Sequence, residues 1–143
     1  MAFLLLNRFA VAGDLAEPPR KVVSLVPAIT EIIFRLGAGD SVAGLTYHDT
    51  HPPEAARKAI VGGFFAPLPE IIESLEPDAI FLSPLHQNIR QRFSGKTCRL
   101  IETESHSVND LYDNIRLLGK IFYKSQAAEA LVREIQDDLT LIS

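Results

Sequence analysis

Four histidines each follow a predicted strand, and their side chains offer chemistry that few other residues here could supply. They are His48, His51, His86 and His106. An imidazole at such a position can ligate a metal ion, bind axially to the metal of a macrocycle, or hydrogen-bond to a chelate. The alternative is that these are ordinary solvated loop histidines. His48 and His51 lie in a loop that continues into Pro52, so their spacing is not a helical metal motif.

Aromatic side chains are predicted at the same positions. Tyr47 follows the second predicted strand, and Phe64 and Phe65 follow a brief third one. Together they could form an apolar platform for a planar ligand. Ordinary packing at the edge of the core is the alternative.

Catalytic motifs are not found in this sequence. It contains no G-x-S-x-G elbow, no P-loop, and no G-x-G-x-x-G after the first predicted strand. Asp49 beside His48 could act as an acid–base pair, but no oriented nucleophile accompanies it. Cys98 lies in an apolar run and is interpreted as a buried structural thiol. We therefore predict no catalytic residue and no catalytic cofactor, and a small α/β enzyme ranks third among the hypotheses.

Length and charge restrict the fold and the partners. The 143 residues, 47% of them hydrophobic, are enough for one compact domain. The net charge of -4 arises from 14 basic and 18 acidic residues with no cationic tract. Nucleic acid is therefore not an expected partner.

The elements that must position these side chains alternate along the sequence. Buried strands are predicted at 21–27, 41–46, 60–61, 78–83 and 99–102. Helices are predicted at 30–36, from 53 to 58, and at 69–75, 88–93, 111–122 and 125–143. Residues 107–110 (SVND) resemble a capped start for the helix at 111–122. This alternation predicts an α/β fold with a parallel sheet flanked by helices. Ligands of such sheets bind beyond the carboxyl ends of the strands, where the histidines are expected.

Several motifs occur in a distinctive order. They are KVVSLVPAITEII at 21–33, LGAGD at 36–40, HPPEA at 51–55, VGGF at 61–64, LEPD at 75–78 and DLYDNIRLLG at 110–119. Together they resemble the helical-backbone (class III) periplasmic solute-binding proteins, which serve ABC importers of cobalamin, siderophores, haem and related iron complexes. The resemblance covers residues 21–143.

The resemblance implies a domain organisation and a function. Residues 21–123 would form the N-terminal α/β lobe, and 124–143 would begin a long helix that connects to a second lobe. Residues 1–20 would be a remnant of an export signal or a short apolar extension. The protein would be periplasmic or extracytoplasmic, would not be an enzyme, and would deliver a metal chelate to an ABC transporter permease. A stand-alone or truncated sensor or interaction module of the same fold is the alternative.

The resemblance also assigns roles to individual residues. Glu70 matches the first-lobe glutamate that pairs with arginines of the permease. His51 stands where many relatives have an aromatic residue facing the cleft, which weakens any inference of cobalamin specificity. The apolar stripe of Leu131, Ile135 and Leu139 is expected to lack a covering lobe, and self-association or pairing with a separately encoded lobe is predicted.

Overall fold

A computed structural model describes residues 17–49 and 52–142 of the chain, with the side chain of residue 142 excepted. Within these residues five parallel strands form one sheet in the order β3-β2-β1-β4-β5. The strands are β1 (Val22–Ser24), β2 (Val42–Leu45), β3 (Ala59–Ile60), β4 (Ala79–Leu82) and β5 (Arg99–Glu102). All five lie within or directly beside the strands predicted from the sequence.

Helices cover both faces of the sheet. They are α1 (Pro27–Arg35), α2 (Pro69–Ser74), α3 (Gln87–Phe93), α4 (Val108–Ile121) and α5 (Ser125–Ile142). Short 3-10 helices span Gly39–Ser41 and Pro53–Arg57. The α/β fold predicted from the sequence is confirmed, including the long helix at its end.

Two layers of core explain why the central strands are apolar on both faces. Val22 and Phe81 pack with residues of α1, α4 and α5 on one face of the sheet. Val23 and Ile80 pack with residues of α2 and α3 on the other. A strand that is covered on both sides has no solvent-facing positions, so its sequence reads as a continuous apolar run.

Helix α1 begins three residues earlier than the sequence pattern indicated. Pro27 occupies its first turn, where the missing N–H costs nothing because that group has no partner within the helix. Gly37, with φ +83, takes the left-handed conformation that commonly follows the end of a helix. The predicted N-terminal cap of α4 is confirmed, since Ser107 Oγ accepts a hydrogen bond from the Asp110 N–H at 3.1 Å.

Helix α5 packs on the core of the lobe through its first half. Leu131 is buried there, and Ile135 is partly buried against the same core. Leu139 is exposed, and so is Leu141, which the sequence pattern had not singled out. The lobe itself thus covers the first half of the stripe, and the predicted lack of a second lobe over the stripe stays a prediction.

Among the described helices, none combines the length and the apolar composition needed to span a lipid bilayer.

Candidate functional site

The carboxyl ends of the parallel strands lie along one side of the sheet, which we call the strand-end edge. Three large apolar side chains are exposed there: Tyr47 is 61% exposed after β2, Phe65 85% after β3, and Leu85 67% after β4. We call these three residues the apolar rim. Sequence reasoning missed Leu85, although an apolar residue between Pro84 and His86 in a turn is a signal that could have found it.

Glycines let the loops after β2 and β3 approach each other closely. The Tyr47 N–H donates to the Gly62 carbonyl at 3.0 Å. A Cβ at Gly63 would lie 2.6 Å from atoms of the Tyr47 ring, closer than non-bonded carbon atoms can approach. Gly62 has φ +109, a conformation that side chains disfavour. The glycine pair therefore sets the position of Tyr47 in the rim.

His86 connects the loops after β3 and β4 from a buried position, where its residue is 2% exposed. Its Nδ1 accepts the Ser83 N–H at 3.0 Å, and its Nε2 lies 2.6 Å from the Phe64 carbonyl oxygen. Because a carbonyl can only accept, Nε2 carries the proton and donates it. The ring also packs edge-to-face on Phe64, with centroids 5.0 Å apart.

These contacts correct the prediction that His86 is a ligand-binding or metal-binding residue. A metal ion needs a free lone pair on the imidazole, and in this arrangement one nitrogen accepts a hydrogen bond while the other is protonated. His86 instead holds in place the backbone that carries Phe65.

The remaining histidines are spread along the strand-end edge. His48 is exposed, and its ring centroid lies 4.2 Å from that of Tyr47. His106 is exposed, with Nε2 3.3 Å from Glu104 Oε1. His51 lies outside the described residues. Strands β2 and β5 are separated by three steps of about 4.8 Å, or about 14 Å, so the loops of His48 and His106 start far apart.

No cluster of three metal-ligating side chains is formed by the residues that the structure describes. This agrees with the sheet order, which inserts β1 and β4 between the strands that precede His48 and His106. A single exposed imidazole could still serve as an axial ligand to the metal of a macrocycle.

Asp49 stabilises the turn that presents Tyr47 and His48. Its carboxylate accepts hydrogen bonds from the N–H and the hydroxyl of Thr46, both at 2.9 Å. Burial raises the pKa of Asp49, and the hydrogen bonds from Thr46 oppose that rise. Asp49 thus holds the turn after β2 in place through Thr46. The acid–base alternative would instead need the Asp49 carboxylate to be directed at His48.

Glu70 lies in the first turn of α2, the helix that follows the loop carrying Phe65. Its side chain is 74% exposed, and its carboxylate is 3.7 Å from the Arg92 guanidinium. Glu73, one turn later, forms closer ion pairs with Arg92 and with Lys96. Arg92 is thus engaged mainly by Glu73, which leaves the Glu70 carboxylate accessible from outside.

Concave regions show what kind of surface the edge offers. The space between α1 and α4 at the edge, beside Thr103 and Leu111, is about 40 Å³, room for about one water molecule. A groove of about 690 Å³ lies away from the rim, between the second half of α1 and the 3-10 helix that starts at Pro53. Among the described residues, the strand-end edge exposes apolar surface at Tyr47, Phe65 and Leu85.

A parallel α/β lobe that exposes aromatic side chains beyond its strand ends has the architecture of a ligand-binding lobe. Residues 22–143 match the model of a family described as Periplasmic binding protein, and the chain belongs to that family.

Three relatives illustrate the similarity. An uncharacterized ABC transporter substrate-binding lipoprotein of Bacillus subtilis, YvrC, is 31% identical over 128 residues, which are 86% of this chain and 40% of that protein. A vitamin B12-binding protein of Vibrio parahaemolyticus is 23% identical, over 88% of this chain and 46% of that protein. A periplasmic haem-binding protein of Pseudomonas aeruginosa superposes with a TM-score of 0.80 at 21% identity, covering 85% of this chain and 45% of that one.

The structural match shows a shared fold. The names of the latter two relatives give vitamin B12 and haem as bound ligands, not as catalytic cofactors. The chain spans less than half the length of each of these three proteins.

Proposed function

We propose that this chain forms a ligand-binding lobe of the substrate-binding component of an ABC importer. It would capture a metal chelate such as cobalamin, haem or a ferric siderophore outside the cytoplasm and deliver it to the permease without transforming it. Family membership and the roles named for the relatives support this proposal. Residues 21–123 would form the lobe and α5 would lead toward a second lobe.

The apolar rim is the observation that carries the proposal. Tyr47, Phe65 and Leu85 come from three different loops, yet all are exposed at the edge where α/β sheets bind ligands. Exposing several large apolar groups together is costly unless a ligand or partner covers them. The hydrogen bonds of Gly62 and His86 fix the loops beforehand, so little ordering is needed on binding.

His48 and His106 are proposed as the histidines able to touch a ligand, because both are exposed at this edge. His48 adjoins the Tyr47 ring and is placed to approach the metal of a complex stacked on that ring. His51 keeps its predicted role in ligand binding, and Phe64 supports the rim from a partly buried position.

Glu70 is proposed as the permease-docking residue. Its carboxylate is exposed and only loosely paired within the lobe, so an arginine of the permease could approach it. A surface carboxylate of this kind contributes mainly to orientation and association rate.

The test is isothermal titration calorimetry, in which the full chain is titrated with cyanocobalamin, haemin and ferric siderophores. Tyr47→Ala and Phe65→Ala should each weaken binding of the recognised ligand about tenfold, since an aromatic contact contributes on the order of 1–2 kcal/mol. Tyr123→Ala is the matched control, because Tyr123 is an exposed tyrosine at the far end of α4.

A second control separates capture from docking. Glu70→Gln should leave ligand affinity unchanged and slow uptake in cells that depend on the importer. Equal losses of affinity in the rim variants and the Tyr123 control would contradict the proposed site, and the absence of binding by every ligand would contradict the proposed function.

A further inference from the structure

We infer that the cargo presents a neutral or cationic face to this lobe, so that the strand-end edge selects against anionic metal chelates. This inference rests on the proposed function and narrows its substrate class. It follows from the charges that the edge carries beside its apolar rim.

The strand-end loops have an acidic charge pattern. The five loops comprise residues 25–26, 46–52, 61–68, 83–86 and 103–107. Their charged side chains are Asp49 and Glu104, both acidic, and the rest are apolar, small polar or histidine. Asp49 is buried under the Tyr47 turn, whereas Glu104 is exposed beside His106. Glu104 is therefore the charged side chain that these loops expose, and it is acidic.

The cation that follows these loops is already neutralised. Arg90 lies in α3, and its guanidinium forms an ion pair with Glu102 at the end of β5. An anionic ligand would have to displace Glu102 to use this arginine. The pair contributes no net charge to the edge.

Two of the helix N-termini at this edge, those of α1 and α4, engage some of their N–H groups within the chain. In α4, Ser107 accepts the Asp110 N–H, and the Asp110 carboxylate accepts the His106 N–H at 2.9 Å. In α1, Pro27 has no N–H, and the N–H groups of Ile29 and Thr30 both donate to the Val26 carbonyl. The N–H groups of Ile29, Thr30 and Asp110 are therefore already engaged, although such groups commonly hold anions at a helix start.

The charges of the strand-end loops favour a neutral or cationic cargo over an anionic one. An anion placed on Tyr47 and Phe65 would lose hydration, and the five strand-end loops contain no lysine or arginine that could compensate for that loss. A neutral complex loses little on desolvation. A cationic complex gains from the negative face of the Tyr47 ring.

The experiment compares two ferric complexes that share the metal and its six-oxygen coordination but differ in charge. A neutral ferric tris-hydroxamate and a trianionic ferric tris-catecholate are titrated against the full chain at fixed ionic strength, with neutral cyanocobalamin alongside. A neutral complex should bind at least about tenfold more tightly than the tris-catecholate. Leu85→Arg should lower the ratio of the neutral complex's affinity to that of the tris-catecholate at least about fivefold, because it adds a cation within the rim.

Leu141→Arg is the matched control, since Leu141 is an exposed leucine near the end of α5 and belongs to none of the five strand-end loops. It adds the same charge and should leave the ratio unchanged. Tighter binding of the tris-catecholate by the unaltered chain, or an equal effect of the two arginines, would overturn the inference and leave the proposed function standing. If none of the three complexes nor haemin binds, the proposed function fails and the inference fails with it.

Discussion

His86 shows how a polar residue can serve a binding surface without touching the ligand. Its ring satisfies one backbone N–H after β4 and one carbonyl after β3, and it does so while buried. Two loops that are far apart in sequence are thereby held at a fixed separation. Phe65 and Leu85 adjoin the two ends of this connection, so the spacing between two members of the apolar rim depends on it.

Replacement of His86 should destabilise the lobe. His86→Leu leaves the Ser83 N–H and the Phe64 carbonyl without their partner, and an unsatisfied buried polar group costs about 1–3 kcal/mol. Urea denaturation should therefore show a loss of free energy of unfolding in this range. His106→Leu, at an exposed histidine, should change that free energy by no more than about 0.5 kcal/mol.

Similar losses in the two histidine variants would show that the buried hydrogen bonds of His86 contribute nothing specific. Amide hydrogen exchange adds a local measurement, because the Phe64–Phe65 segment should exchange faster in His86→Leu than in His106→Leu.

At the scale of elements, the short edge strand β3 and its loop position Phe65, one member of the rim. The Val61 N–H donates to the Leu45 carbonyl, and the Leu68 N–H donates back to the Val61 carbonyl. Gly62 and Pro67 face each other in an isolated antiparallel bridge, so the chain turns back within a few residues. This compact turn supports Phe65 at its exposed tip.

A matched pair of glycines tests the turn. A Cβ at Gly62, where φ is +109, would lie 2.6 Å from the Ala66 carbonyl oxygen. Gly95 also has a positive φ, +79, but a Cβ there meets nothing within 4 Å. Gly95→Ala should cost about 1 kcal/mol through backbone strain alone, and Gly62→Ala should cost at least about 1–2 kcal/mol more.

Thermal or urea unfolding of the two alanine variants provides the measurement. If they lose the same free energy of unfolding, the close approach of Gly62 to Ala66 does not constrain the turn. Gly62→Ala should also weaken ligand binding, whereas Gly95→Ala should leave it intact because Gly95 follows α3 at a distance from the rim.

At the scale of the whole molecule, the first half of α5 packs against the lobe, and its second half carries the exposed Leu139 and Leu141. A Cβ on Gly119 of α4 would lie 2.5 Å from Ala128 Cβ, so the two helices cross in close contact. Leu131 and Val132 extend this contact into the core under α1 and α4. The first half of α5 is therefore anchored rigidly, which suits the proposed role of a helix that fixes the position of a second lobe.

Substitutions of two leucines on α5 test the difference between its packed first half and its exposed second half. Leu131→Ala should lower the free energy of unfolding by about 2–5 kcal/mol, because it opens a cavity in a packed core. Leu139→Ala should lower it by less than about 1 kcal/mol, because that side chain is partly exposed. Equal costs in urea denaturation would contradict the division of the helix into these two parts.

The sequence by itself determined the local elements. Apolar runs bounded by proline and glycine located the strands, the 3.6-residue period located the helices, and Ser107 marked the start of α4. These signals are local because they depend on neighbouring residues along the chain. The placement of functional side chains after strands also followed, since parallel strands end at a common edge.

Tertiary structure alone decided which of those side chains face a ligand. The motifs place every histidine in a loop, but burial of His86 and exposure of Leu85 depend on contacts between loops that are distant in sequence. The strand order, which separates His48 from His106, is likewise set by packing of helices on the sheet. Periodicity carries no information about such long-range neighbours. The separation of the described histidines, the rim and the cover over the first half of α5 therefore required the folded molecule.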